Sequence, residues 1–130
     1  MIWFVRSAMC ALYPRTDERP GLEDCGITEF LVRFRRETTF LMWLGVLAGA
    51  WVFHFTPLFT VFVPLPAFLL PRGLRDKHAS RITGAGVYLV RQAIFLLKLP
   101  AGLCWGGHPE VRAKFALPAY PPDPGSWRTA

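Results

Sequence analysis

Apolar side chains are gathered in one part of this sequence rather than spread along it. From Thr38 to Pro71 there is no Asp, Glu, Lys or Arg, a run of 34 residues in which His54 is the only titratable group. The first half, Phe40 to Phe55, contains no proline and predicts one unbroken helix. The second half carries Pro57, Pro64 and Pro66 and ends at Pro71. Each proline lacks a backbone donor and disfavours a helical residue before it, so this half is expected to be broken, extended or re-helicised after a turn. A run this long is a transmembrane candidate. As one straight helix it would reach about 51 Å at 1.5 Å per residue, well beyond a hydrocarbon core of about 30 Å.

The flanks refine that picture. Arg33, Arg35 and Arg36 precede the run, and Arg72, Arg75, Lys77 and Arg81 follow it. A single crossing leaves its basic excess on one side, whereas here both ends are basic. The expectation is that both ends face the same side, with the run forming a hairpin bent near Thr56-Pro57 or lying partly embedded. A single kinked crossing is the alternative. Arg33, Arg35, Arg36, Arg72, Arg75 and Lys77, with the ring systems of Trp43 and Trp51, are the candidates for contact with the membrane and its head groups.

Outside the run the patterns are shorter. Met1 to Pro14 reads as a short amphipathic helix or anchoring arm; Arg6 interrupts the apolar stretch a secretory signal needs. Arg15 to Cys25 reads as a polar linker. Thr28 is a candidate N-cap with Glu29 in the first turn, opening a helix that continues through the arginine cluster into the apolar run. Arg72 to Arg81 reads as a basic, water-facing connection. Val87 to Leu99 predicts a helix with Arg91 and Lys98 on one side, ended by Pro100 and the glycines Gly102, Gly106 and Gly107. A short helix is expected over Pro109 to Ala116. The remainder, Leu117 to Ala130, is proline-rich and extended, with Tyr120 and Trp127 as docking aromatics. The sequence thus divides into residues 1–37, 38–71, 72–116 and 117–130. The fold class is mainly α: a small membrane-embedded helical protein with a proline-broken apolar hairpin or kinked helix and an extended tail.

Composition excludes several classes. The chain has 130 residues, 52% of them apolar and 18% charged, with a net charge of +6. Wholesale disorder is incompatible with so many aromatics, and three cysteines do not make a disulfide scaffold. The arginines flank apolar runs instead of forming one stripe, which argues against nucleic acid and for anionic lipid or an acidic partner surface.

Candidate chemistry is sparse. No Cys-x-x-Cys or His-x-x-x-His pair occurs; the nearest ligand pair, Cys104 and His108, is separated by two glycines, and zinc needs three or four ligands. Most of the carboxylates sit beside Arg or Lys, and no paired acid–base site stands out. His54 is the one ionisable group in the run and reads first as a neutral imidazole bonded to the carbonyl that Pro57 frees. Its alternative role, shared with His108, is contact with a quinone or haem. Gly45-x-x-x-Gly49 reads as a face for close helix approach. No metal or cofactor is expected.

The C-terminal third reads Tyr88-Leu89-Val90-Arg91-Gln92, Leu96-Leu97-Lys98, Trp105-Gly106-Gly107-His108-Pro109-Glu110-Val111-Arg112 and Asp123-Pro124-Gly125. It resembles the C-terminal end of small accessory proteins of membrane-associated flavin dehydrogenases of the glucose–methanol–choline type, including gluconate-dehydrogenase-like small subunits. In that group the small chain does not carry the flavin, so the resemblance implies a helper that docks or stabilises a dehydrogenase at the membrane.

The expected role is a non-catalytic accessory subunit that anchors or stabilises a larger membrane complex, with Arg91, Lys98, Tyr120 and Trp127 touching the partner. The alternatives are a redox subunit using His54 or His108 and a self-assembling membrane protein packed through Gly45 and Gly49. So long an uncharged run predicts that the isolated chain needs detergent or lipid to stay dispersed. Size-exclusion chromatography in plain buffer checks this, and a soluble monomer there would refute it.

Overall fold

In the computed structural model, which describes residues 1–122 and 124, the described residues form seven α-helices and no strand. These are α1 (Ile2–Leu12), α2 (Ile27–Glu37), α3 (Phe40–Phe55), α4 (Pro57–Thr60), α5 (Arg72–Thr83), α6 (Tyr88–Gly107) and α7 (Pro109–Lys114). Single 3-10 turns lie at Leu22–Asp24 and Ala67–Leu69.

α1 is the hub of the core, not a peripheral arm. It packs against α2, α3, α5 and α6. Its residues Val5, Ala8 and Met9, at helical spacing, are completely buried. Residues 1–37, 38–71 and 72–116 therefore share one core.

The most extensive contact joins α3 and α6, which run antiparallel: Gly45 faces Leu96 and Gly49 faces Ala93. Glycine is required at this seam. A Cβ on Gly49 would lie 2.4 Å from the Ala93 carbonyl oxygen and 3.0 Å from the Leu97 Cβ, and one on Gly45 would lie 3.2 Å from a Leu96 methyl. The glycine pair admits a close neighbour, and that neighbour belongs to the same chain.

Several boundaries differ from the sequence reading, each for a local reason. α2 begins at Ile27, with Gly26 as its N-cap at φ +67°, so Thr28 lies inside the helix. α2 does not continue into α3. Thr38 is extended, and the Thr39 hydroxyl accepts the Met42 N–H at 3.3 Å, starting α3 afresh. The helix predicted over Phe40 to Phe55 has those same bounds. Residues 72–81 are not a loop: α5 covers them and buries His78, Ala79 and Ile82. α6 passes through Pro100 to Gly107. An internal proline costs about 3 kcal/mol, offset here by burial of Leu97, Ala101 and Cys104 around it.

The hairpin is also different. Pro57 opens the single turn of α4, after which the chain turns at Phe62 and runs through Pro64 and Pro66 to α5. After α4 the returning segment meets α3 through the Ala67–Leu69 turn, and the helix that packs most extensively against α3 is α6.

The seam yields a sharp expectation. Gly49→Ala should destabilise the fold by about 1–3 kcal/mol through overpacking and lower the thermal midpoint by several degrees. Gly106→Ala, where a new Cβ meets nothing within 4 Å, should leave the midpoint unchanged or raise it slightly. Circular-dichroism melts of both variants measure the contrast.

Candidate functional site

α3 has two apolar sides. Its inner side, Trp43, Val46, Ala50, Phe53 and His54, is buried in the core. The outer side carries Leu41, Leu44, Ala48, Trp51 and Phe55, spaced alternately three and four residues apart, and all are exposed. α6 repeats the arrangement. Ile94, Leu97, Ala101 and Cys104 are buried, while Phe95, Leu99 and Leu103 face outward at intervals of four. Because the helices meet through Gly45, Gly49, Ala93 and Leu96, their outer stripes lie side by side, while α1 packs against both helices. The result is an uncharged surface that no described element covers.

The surface continues beyond α3. Phe55 and Leu58 line a shallow cleft of about 350 Å³ with Val63, Pro64, Leu65 and Pro66. Next to it Phe59 and Phe62 are 76% and 80% exposed. Phe62 has φ 58°, a left-handed conformation that costs a residue with a side chain roughly 1–2 kcal/mol. Large contiguous exposed apolar patches on proteins are associated with protein or membrane contacts.

Behind the surface two buried histidines hold the end of α3. Pro57 has no N–H for the Phe53 carbonyl, and the group that takes that carbonyl is the Nε2 of His78, at 2.7 Å. The Thr60 hydroxyl bonds the other ring nitrogen, and the bond to the Phe53 carbonyl requires a proton on Nε2. His54, expected at the carbonyl freed by Pro57, instead donates from Nε2 to the Phe4 carbonyl at 2.9 Å. Its ring sits 4.4 Å from Phe4 and 5.2 Å from Phe68, and its Nδ1 is buried without a partner. Burial pushes the pKa of both imidazoles down, against the opposing pull of their backbone bonds.

The predicted contact residues are distributed unequally. Trp51 is exposed on the outer face, but Trp43 is only 6% exposed; it packs in the core with the Arg35 guanidinium 5.8 Å over its ring, so it is not a membrane contact. Arg33 pairs with Glu37 at 3.2 Å. Arg36 and Lys77 are exposed. Arg72 donates to the Arg15 carbonyl at 2.9 Å, and Arg75 lines a cleft with Arg6. Of the partner-contact candidates, Arg91 is exposed, whereas the Lys98 ammonium folds back to 5.9 Å from the Tyr13 ring. Tyr120 stacks 3.8 Å from the Arg112 guanidinium. Trp127 lies outside the described residues.

His108 caps α7, with Nδ1 unpartnered. Burial, with Cys25 and Cys10 nearby, pushes the Cys104 thiol up to about 11, leaving it protonated and unreactive at neutral pH. Among the described residues no group of three His, Cys, Asp or Glu is placed to hold a metal ion. The sequence reading missed the outer stripe itself. Its signal is the alternating three–four spacing from Leu41 to Phe55, masked because the inner side of α3 is equally apolar. Compared with protein-family models, with curated proteins and with solved structures, the chain has no match.

The histidines impose a pH dependence. Both are held neutral in the fold, with pKa values below the ordinary 6.5. As pH falls below 6.5 the unfolded chain therefore binds more protons, and stability falls. Thermal melts from pH 7.5 to 5.0 should show a declining midpoint. His78→Gln, which keeps a donor for the Phe53 carbonyl, should show a shallower decline.

Proposed function

We propose that this chain is a non-catalytic accessory subunit seated on a membrane through the outer face of α3 and α6, lying along the lipid without crossing it, and holding a larger membrane-bound partner. The observation that carries the proposal is the continuous uncharged surface from Leu41 and Leu103 to Phe55, Leu58 and Phe62.

Geometry favours a seat over a span. Among the described residues no single helix is long and apolar enough to cross a membrane; α5 and α6 pass such a test only as a pair, and they are bent by 115°. α3 has 16 residues, roughly 24 Å of helix at 1.5 Å per residue. An amphipathic element lying in the interface needs only to bury its apolar face about 5–10 Å deep, and α3 with α6 offers such a face. Basic residues at its edges suit anionic head groups: Arg36 beyond one end of α3 and Arg91 near the start of α6.

The partner-holding role draws on the exposed segment after α7 and on the resemblance of the C-terminal third to dehydrogenase accessory subunits. That resemblance makes a membrane-bound flavin dehydrogenase the leading partner. A redox role through His54 fits less well, because its ring is enclosed by Phe4, Phe53 and Phe68. Self-assembly through Gly45 and Gly49 fits less well too, since both are occupied by α6.

Vesicle flotation tests the seat. The double variant Leu44→Glu/Leu99→Glu alters only exposed positions, so its melt should match wild type while its partition onto vesicles falls at least tenfold. Unchanged partition would overturn the proposal. For the partner, deleting residues 117–130 should release the co-purifying larger protein and leave the chain on the membrane; a complex that survives the deletion would remove the tail from the interface.

A further inference from the structure

A second surface lies beside the aromatic patch and has the opposite character. One face of α1, Trp3, Arg6, Ser7 and Cys10, turns toward the first turn of α5, and between them is a cleft of about 320 Å³. Four arginines line it: Arg6 from α1, Arg15 from the following turn, and Arg72 and Arg75 from α5. They are not equivalent. Arg15 is neutralised by Asp24 and Glu23. Arg72 is positioned by its bond to the Arg15 carbonyl, at 2.9 Å, which leaves its charge uncompensated. Arg75 has no ion pair among the described residues. Arg6 lines the cleft from α1; its Nε is out of contact with water and does not itself open into the cleft. Asp76 is the one carboxylate in the cleft besides the already paired Glu23, so Arg6, Arg72 and Arg75 leave an excess of positive charge there.

We infer that this cleft binds a phosphate group, as a phosphate ester, between Arg6, Arg72 and Arg75. Guanidinium forks match phosphate oxygens two at a time, and the three approach from two elements whose relative position the core fixes. The cleft also sits at the first turn of α5, whose N-cap Pro71 supplies no side-chain acceptor. Two sources present this chemistry, a lipid head group and a soluble phosphate ester. Trp3 makes the lipid source reachable: it lines the cleft and also contacts Phe68, 5.6 Å away, within the aromatic cluster that leads through Phe4 to Trp51. Only the lipid source rests on the membrane seat proposed above.

The test uses the full chain at 150 mM salt, where the general attraction of a +6 protein for anions is screened beyond about 8 Å. Glycerol 3-phosphate is titrated calorimetrically, and vesicles of phosphatidylcholine are compared with vesicles containing phosphatidic acid. Arg6→Gln/Arg75→Gln is the test variant, and Lys114→Gln, at an exposed position on α7, is the control. Saturable binding of glycerol 3-phosphate, or a preference for phosphatidic acid, is expected in wild type and control and should fall at least tenfold in the double variant. Should the double variant melt well below wild type, Arg75→Gln alone, at a position without an ion pair, replaces it. A soluble-phosphate response without vesicle binding would sustain the cleft and reject the seat. Equal binding by wild type and variant, or no response to either probe, overturns the inference.

Discussion

The structure depends on the close approach of α3 to α6. Without a side chain at Gly49 the Ala93 backbone can sit against α3, and this contact places two long apolar helices side by side. Once they are paired, each has one side left for the core and one left over. The inner sides close around α1, whose Val5, Ala8 and Met9 are sealed from water. The outer sides are adjacent for the same reason, so the seam that makes the core also makes the exposed apolar surface. A bulkier seam would separate the helices and disturb both.

The polar groups that such a chain must bury are handled at the Pro57 break. A helix ending at a proline leaves a carbonyl unclaimed, and here the orphan is on Phe53, one of the most buried side chains in the molecule. His78 supplies the missing donor from α5, and Thr60 bonds its other ring nitrogen. α5 is thereby tied to the end of α3 across 25 residues of sequence. The same ring that completes the backbone hydrogen bonding titrates near neutrality in the unfolded chain, so the repair of a proline break carries a pH dependence with it.

The parts legible in the sequence were those with one dominant signal. The absence of proline and charge over Phe40 to Phe55 marked α3 to the residue, and the Gly45–Gly49 spacing marked a close approach. What was obscured involved competition between local preference and tertiary burial. Arg72, Arg75, Lys77 and Arg81 gave α5 the look of a solvated loop, yet His78, Ala79 and Ile82 bury a narrow stripe that suffices to hold it helical. Pro100 looked like a terminus because its intrinsic penalty is large, and burial of its neighbours outweighs it. The partner of the glycine pair was illegible because pairing α3 with α6 needs contacts between residues more than forty apart. His54 was read as an imidazole bonded to the carbonyl that Pro57 frees; it does bond a carbonyl, but that of Phe4, on an element whose position only the fold reveals.

Charge and apolarity meet along α1, and that junction gives the surface its direction. Toward α3, Phe4 joins Trp51, Phe55 and Phe68. On the adjoining side Trp3 borders the cleft of Arg6, Arg72 and Arg75 while touching Phe68. A lipid surface has this same ordering over a few ångströms, from acyl chain through a zone favoured by tryptophan to phosphate. A soluble apolar partner would not require arginines at the border, and a soluble anion would not require the aromatics. The two features belong to one α1 helix whose residues are fixed by core packing at Val5, Ala8 and Met9, so neither can shift without the other. That coupling is the physical reason to treat the apolar face and the basic cleft as parts of one surface.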